Sequence, residues 1–262
     1  AHAATVKELA KNGAKVVVLA HQGRPGDAEF RSLKEHAVLL SEEVEFEVRF
    51  VRDIFGPVAL ERIKEMTEGD VILLDNLRML TEELLERLGK EAAKSLHVQK
   101  LASCAQLFVN DAFSVSHRSQ ASIVGFPALL PSVAGRVMQR ELQALEKLIE
   151  LETGGAVFLL GGLKIKEVMD IIAYTCKSGK AEKILLAGMP GVLFLKAKGI
   201  ALGEKNEDYF EAKGGNDFLP LAKELWKTYF EIIATPVDVA VETDAKRKEY
   251  SIIDLPVNYL IR

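Results

Sequence analysis

Short apolar runs of strand length alternate along the chain with longer segments in which apolar residues recur every three or four positions. The runs Lys15–Ala20, Phe46–Val51, Val71–Asp75, Leu107–Asn110, Ala156–Leu160, Lys183–Ala187 and Phe230–Thr235 are predicted strands. Between them, Ser32–Glu43, Val58–Thr67, Glu82–Ala105, Lys166–Lys177 and Leu219–Lys227 have the length and period of helices. Continuous apolar strands separated by helices predict an α/β fold whose parallel sheets are covered on both faces. The Pro/Gly-rich stretch Gly125–Gly135 interrupts the alternation. After it, Met138, Leu142, Leu145 and Ile149 fall on one face of an amphipathic helix of about 15 residues. Gly154-Gly155 ends that helix, and a new βα series begins. The expected architecture is two Rossmann-like domains with parallel sheets, 1–134 and 152–262, joined by an interdomain helix over 135–151.

Composition narrows the function. Of 262 residues, 48% are apolar and 27% charged, proportions that exclude disordered and low-complexity classes. The net charge is −4, so a general nucleic-acid binder, which needs a basic excess, is not expected. Any bound anion must instead be gripped by a local cluster of cations. The apolar runs are strand-length, so no membrane span is expected. Cys104 and Cys176 have no metal or redox spacing and read as buried packing residues, consistent with a reducing cytoplasm. The chain opens without Met, inside an apparent helix (Ala3, Val6, Leu9, Ala10), so a preceding segment is expected.

In open α/β sheets ligands bind beyond the carboxyl ends of the strands. Three such loops of the first domain carry an arginine: His21-Gln22-Gly23-Arg24, Asp75-Asn76-Leu77-Arg78, and the segment from Asn110 to Arg118. One arginine there is ordinarily a surface cation. Three at the rim of one sheet could hold a small, multiply charged anion, because guanidinium forks match phosphate and carboxylate oxygens bidentately. The second domain offers Gly161-Gly162-Leu163-Lys164, where close backbone approach, a helix N-terminus and a lysine favour a phosphate. A similar Gly-rich turn at Gly188 follows the next strand. The pattern is neither a Walker loop nor a dinucleotide fingerprint, which counts against an oxidoreductase. An Arg/His anion site on one domain and a Gly-rich phosphate loop on the other fit a phosphoryl-transfer enzyme that closes its domains.

At these residues the sequence resembles the phosphoglycerate kinases. His21-Gln22-Gly23-Arg24-Pro25, Leu74-Asp75-Asn76-Leu77-Arg78, Asn110-Asp111-Ala112-Phe113, Ser116-His117-Arg118, Gly125-Phe126-Pro127, Leu160-Gly161-Gly162-Leu163-Lys164 and Pro236-Val237-Asp238 follow that family's order. Gln22, Gln120 and the ending Ser251–Arg262 look most like archaeal members. The resemblance implies reversible transfer of a phosphoryl group between ATP and 3-phosphoglycerate, giving ADP and 1,3-bisphosphoglycerate, with Mg²⁺ on the nucleotide. It implies that His21, Gln22, Gly23, Arg24, Arg78 and Arg118 bind the glycerate, and that Gly161, Gly162, Lys164 and Gly188 bind the nucleotide. It further implies that Lys164 and Arg24 act on the transferring group.

There are two departures. A second lysine that many members carry four residues after the first is Val168 here. The family's first strand, with its substrate residues, and its later nucleotide phosphate loop are not found, so the chain is expected to be an internal fragment, inactive by itself. A catalytically inactive, phosphoglycerate-kinase-like binding protein is the alternative. A cytoplasmic monomer is expected, without nucleic-acid or membrane partners.

Overall fold

A computed structural model describes residues 1–150, 155–243 and 246–261. The chain divides into two compact units, Ala1–Leu145 and Glu146–Arg262. The first begins with α1 (Ala3–Lys11), β1 (Val16–Val18), α2 (Lys34–Val44), β2 (Val48–Val51), α3 (Pro57–Lys64) and β3 (Val71–Leu74). These strands form a parallel sheet in the order β1-β3-β2. Central β3, Val-Ile-Leu-Leu, is buried along its whole length, as its unbroken apolar run requires for a strand covered on both faces. Val71 and Leu73 pack against α1 and α2 with Val6, Ala10 and Ala37, while Ile72 and Leu74 face a second cluster built on Ala59, Val98 and Phe126.

The rest of this unit contains α4 (Gly89–Ala92), α5 (Leu96–Ala102), β4 (Phe108–Asn110), α6 (Ala121–Val124), β5 (Ser132–Ala134) and α7 (Arg136–Glu150). The helix expected over Glu82–Ala105 is broken into a 3₁₀ turn at Thr81–Leu84, then α4 and α5. The break lets Glu83 and His97 turn inward and leaves Leu85 and Leu88 exposed, opposite to what a single amphipathic helix would do. Cys104 lies beyond the end of α5 and is only half-buried, not a core residue on a helix. The Gly125–Gly135 stretch supplies β5, which pairs in parallel with β4 as a separate two-stranded ladder. The three arginine loops therefore follow strands of two ladders rather than one sheet.

The division between units falls within α7, which matches the helix expected from Met138 to Ile149. The expected helix end at Leu151 and Gly154 lies outside the described residues. The second unit continues with β6 (Ala156–Leu160), α8 (Ile165–Ser178), β7 (Ala181–Leu186), α9 (Gly188–Ala197), α10 (Glu204–Ala212), α11 (Leu219–Tyr229) and β8 (Ile233–Ala234). Its sheet is parallel, in the order β6-β7-β8. Met169, Ile172, Ile184, Leu193 and Phe194 form its core. The opposite side is not covered as expected, since Val157, Leu159 and Leu185 are exposed.

The strand expected at Phe230–Thr235 shrinks to Ile233–Ala234, because α11 runs on to Tyr229. The Gly/Pro-containing turn at Gly188 opens a helix, α9, whose Leu193, Phe194 and Leu195 are fully buried. Tertiary burial here overrides poor helix propensity. An antiparallel hairpin of β9 (Asp238–Thr243) and β10 (Lys246–Ser251), with no counterpart in the sequence expectation, closes the described fold. Burial raises the Cys176 thiol to about 11, so this cysteine is a packing residue. No described helix is long and apolar enough to cross a membrane.

Asp53, between β2 and α3, caps that helix: its carboxylate accepts from the backbone N–H groups of Ile54 (2.7 Å), Gly56 (3.1 Å) and Ala59 (2.9 Å). Burial pushes its pKa up, but these donors together outweigh it and hold the group below the ordinary value. A depressed folded-state pKa stabilises the fold above roughly pH 4, and that contribution disappears as the pH falls through the lower, folded-state value. Asp53→Asn should therefore cost about 1 kcal/mol at neutral pH and flatten the acid limb of stability. Urea unfolding followed from pH 7 to pH 2 checks this; parallel acid limbs in variant and wild type would refute it.

Candidate functional site

The carboxyl end of β3 is organised by two buried side chains, Asp75 and Asn76. Asp75 accepts from the backbone N–H of Leu33 (3.0 Å) and the hydroxyl of Ser32 (3.2 Å), holding the start of α2 against the strand end. Asn76, with no exposed surface, uses both ends of its amide. Its Oδ1 accepts from the backbone N–H groups of Gln22 and Arg78, both at 3.1 Å. Its Nδ2 donates to the carbonyls of Gln22 and Arg31, both at 2.8 Å. One side chain thereby fastens the loop after β1 to the loop after β3. Gly23 is required where the β1 loop doubles back: its φ is +63°, and a Cβ there would lie 2.5 Å from the Phe30 nitrogen.

Fastened in this way, Arg24 and Arg78 meet Arg118 on the wall of a cavity of about 550 Å³, together with Glu86, His117 and Gln120. Among the described residues none of the three guanidinium groups forms an ion pair. The Nε of Arg78 is buried without a hydrogen-bond partner, as is Oε1 of Gln22. Burial, followed by the charges of Arg118 and Arg24, lowers the pKa of Arg78, and the carboxylate of Glu83 opposes the shift. His21 is likewise held below its usual value by burial and by Arg78, again opposed by Glu83. Like charges crowded together without a direct ion pair are unfavourable on their own, and an anion placed among them lowers the penalty.

The structure thus brings Arg24, Arg78 and Arg118 together, as their sequence positions predict. His21, Gln22 and Gly23 lie in the loop that carries Arg24 rather than on the cavity wall. The sequence reading selected neither His117, Gln120 nor Glu86 as site residues, although the first two flank Arg118, and that proximity was the available signal. Asn76 and Glu83 are not among the residues expected at the site, because the bonds that matter there, from Asn76 to Gln22 and Arg31 and from Glu83 to Ser122, are non-local.

In the second unit, the turns after β6 and β7 lie side by side. The backbone N–H of Ala187 donates to the Leu160 carbonyl (2.9 Å), and that of Met189 to the Gly162 carbonyl (3.0 Å). Gly188 has φ +55°, and a Cβ on it would stand 2.8 Å from the Gly162 nitrogen, so the two turns touch through backbone alone. Gly161, Gly162 and Lys164 are exposed at the N-terminus of α8. Val168 packs against the core, so the position where a second lysine was sought points inward.

Removing the Asn76 amide would strand the carbonyls of Gln22 and Arg31 and the N–H groups of Gln22 and Arg78. Each buried group left unpaired costs about 1–3 kcal/mol, so Asn76→Ala should lose at least roughly 2 kcal/mol of stability in urea unfolding. A loss below about 0.5 kcal/mol, the scale of an ordinary surface change, would show that the staple is not needed.

Comparison with known proteins places this geometry in a family. The phosphoglycerate kinase family profile matches residues 1–258. The phosphoglycerate kinase of Methanothermus fervidus is 44% identical over 255 residues, covering 97% of this chain and 62% of that protein. That of Sulfolobus acidocaldarius is 42% identical over 260 residues, covering 99% of this chain and 61% of that protein. The crystal structure of phosphoglycerate kinase from Pyrococcus horikoshii OT3 superposes with a TM-score of 0.92 at 34% identity, over 98% of this chain and 64% of that one. The chain therefore spans a little over three-fifths of the length of these relatives. Profile, relatives and superposition agree over nearly the whole sequence: the chain belongs to the phosphoglycerate kinase family.

Proposed function

We propose that this protein serves the reversible transfer of a phosphoryl group between ATP and 3-phosphoglycerate, with 1,3-bisphosphoglycerate and ADP as the other pair. The observation that carries the reading is the convergence of Arg24, Arg78 and Arg118, without ion-pair partners, on one cavity. 3-Phosphoglycerate carries a tetrahedral phosphate and a planar carboxylate, and each presents a pair of oxygens that a guanidinium fork can engage. In this reading Ala1–Leu145 is the acceptor-binding unit. Arg24 contributes both grip and charge stabilisation, and His21, Gln22 and Gly23 shape its loop.

Glu146–Arg262 is the nucleotide-binding unit. Gly161, Gly162 and Gly188 offer backbone approach to phosphate oxygens, and the exposed Lys164 neutralises charge on the transferring group. In the forward direction the acceptor's carboxylate oxygen attacks the γ-phosphorus, the bond to the β–γ bridging oxygen breaks, and ADP carries away the electron pair. The step needs alignment and charge neutralisation rather than a protein nucleophile. The described residues build no group of three or more His, Cys, Asp or Glu side chains for an ion. In this reading magnesium arrives on the nucleotide phosphates, and no step is assigned to a protein-bound metal. A reducing cytoplasm suits a chain with two unpaired thiols.

Calorimetry on the 262-residue chain tests the division of labour. Arg24→Ala, Arg78→Ala and Arg118→Ala should each weaken 3-phosphoglycerate binding by roughly 10- to 100-fold, the worth of one charge-assisted contact, and spare ADP. Lys164→Ala should do the reverse. Failure of the wild-type chain to bind 3-phosphoglycerate, or arginine variants that weaken both ligands alike, would refute the reading.

A further inference from the structure

Next to the three-arginine wall lies a carboxylate that the proposed chemistry does not use. Glu83 belongs to the 3₁₀ turn Thr81–Leu84, which directly follows the turn carrying Arg78, and it is 0% exposed. Its Oε2 accepts from the backbone N–H of Ser122 (3.0 Å), and its Oε1 accepts from the Ser122 hydroxyl. Ser122 lies in α6, just after Arg118 and Gln120. Glu83 therefore joins the stretch bearing Arg78 to the stretch bearing Arg118. The backbone N–H of Arg87 closes the same seam by donating to the Ser119 carbonyl (3.1 Å). From α5, the fully buried His97 places Nε2 3.4 Å from Glu83 Oε2 and Nδ1 3.6 Å from Glu82 Oε2, with neither nitrogen in hydrogen-bond geometry.

A carboxylate is buried at heavy cost unless donors and opposite charge surround it. Ser122 supplies the donors, and the neighbouring turn carries Arg78, whose charge this carboxylate favours. We propose that Glu83 is a positioning residue of the anion site: its buried charge balances the arginine wall, and its clasp on Ser122 fixes Arg78 relative to Arg118. The proposal deepens the reading of this pocket as the acceptor site.

The charge balance has a consequence at His21. That imidazole is faced by Arg78 from the turn after β3, by Arg118 from the loop before α6, and by Glu83 from Thr81–Leu84. Burial and both arginines disfavour its protonated form; Glu83 favours it. Neutralising Glu83 leaves the opposing influences alone, so His21 must bind its proton more weakly.

An NMR titration of the His21 imidazole in the ligand-free 262-residue chain reads this directly. Glu83→Gln keeps the size, removes the charge and can retain both Ser122 contacts if the hydroxyl turns to accept from the amide NH2, and His21 should then titrate at lower pH than in wild type. Glu83→Asp keeps the charge and should titrate closer to wild type. A purely structural Glu83 would lower the melting temperature and leave the His21 midpoint in place. Ser122→Ala, which retains the charge but loosens its anchor, decides the matter if Glu83→Gln does not fold. It should shift the midpoint in the same direction by a smaller amount. An unmoved midpoint in the folded variant, or an equal shift in Glu83→Asp and Glu83→Gln, would overturn the proposal. The titration uses no ligand, so absence of 3-phosphoglycerate binding would sink the functional reading and leave this one standing.

Discussion

Two peptide segments, bonded across 45 to 54 residues of chain, are held together by the amide of Asn76. Its carbonyl oxygen takes N–H groups from Gln22 and Arg78, and its nitrogen gives to the carbonyls of Gln22 and Arg31. An amide suits this role because it is donor at one end and acceptor at the other, without a charge to desolvate. Asp75 adds an anchor on Leu33 and Ser32 and so ties in α2. The placement of Arg24 and Arg78 depends on this junction. Arg24 and Arg78 share a cavity because their loops share one hydrogen-bonding partner.

The junction also explains how three guanidinium groups stay close without a ligand. Burial first, and then the charges of Arg118 and Arg24, lower the pKa of Arg78, and backbone hydrogen bonds that do not involve the charged heads hold the loops in place against that crowding. Such preorganisation means that an incoming anion need not assemble its own site, so less binding energy is lost to ordering. In the proposed reading, Glu83 is the permanent counter-charge of this wall and a bound anion the exchangeable one.

The second unit reaches a comparable end by another route. The turns after β6 and β7, to which the proposal gives phosphate binding, are glycines in contact, Gly162 against Gly188, with backbone rather than side chains at the closest approach. Lys164 is exposed, in contrast to the buried Arg78. A lysine on a flexible stem can follow a group that moves, whereas a fixed fork suits a group that must be held.

Local pattern alone determined much of this protein. The apolar run Val71–Leu74 identifies a strand buried on both faces, and the period from Met138 to Ile149 identifies α7, because each signal is carried by neighbours in sequence. The placement of Arg24, Arg78, Arg118, Gly162 and Gly188 in loops that follow strands was legible because each strand is marked by its own apolar run. Tertiary structure decided the rest. It broke the expected helix at Glu82–Ala105, because burying Glu83 against Ser122 outweighs a continuous periodicity. It made Gly188–Ala197 a helix, because Leu193 and Phe194 are buried there in spite of the glycines and Pro190. It brought in Asn76 and Glu83 through contacts between residues far apart in the chain. A hydrogen bond spanning 39 or 54 residues leaves no periodic trace in sequence, so only the folded chain could reveal it.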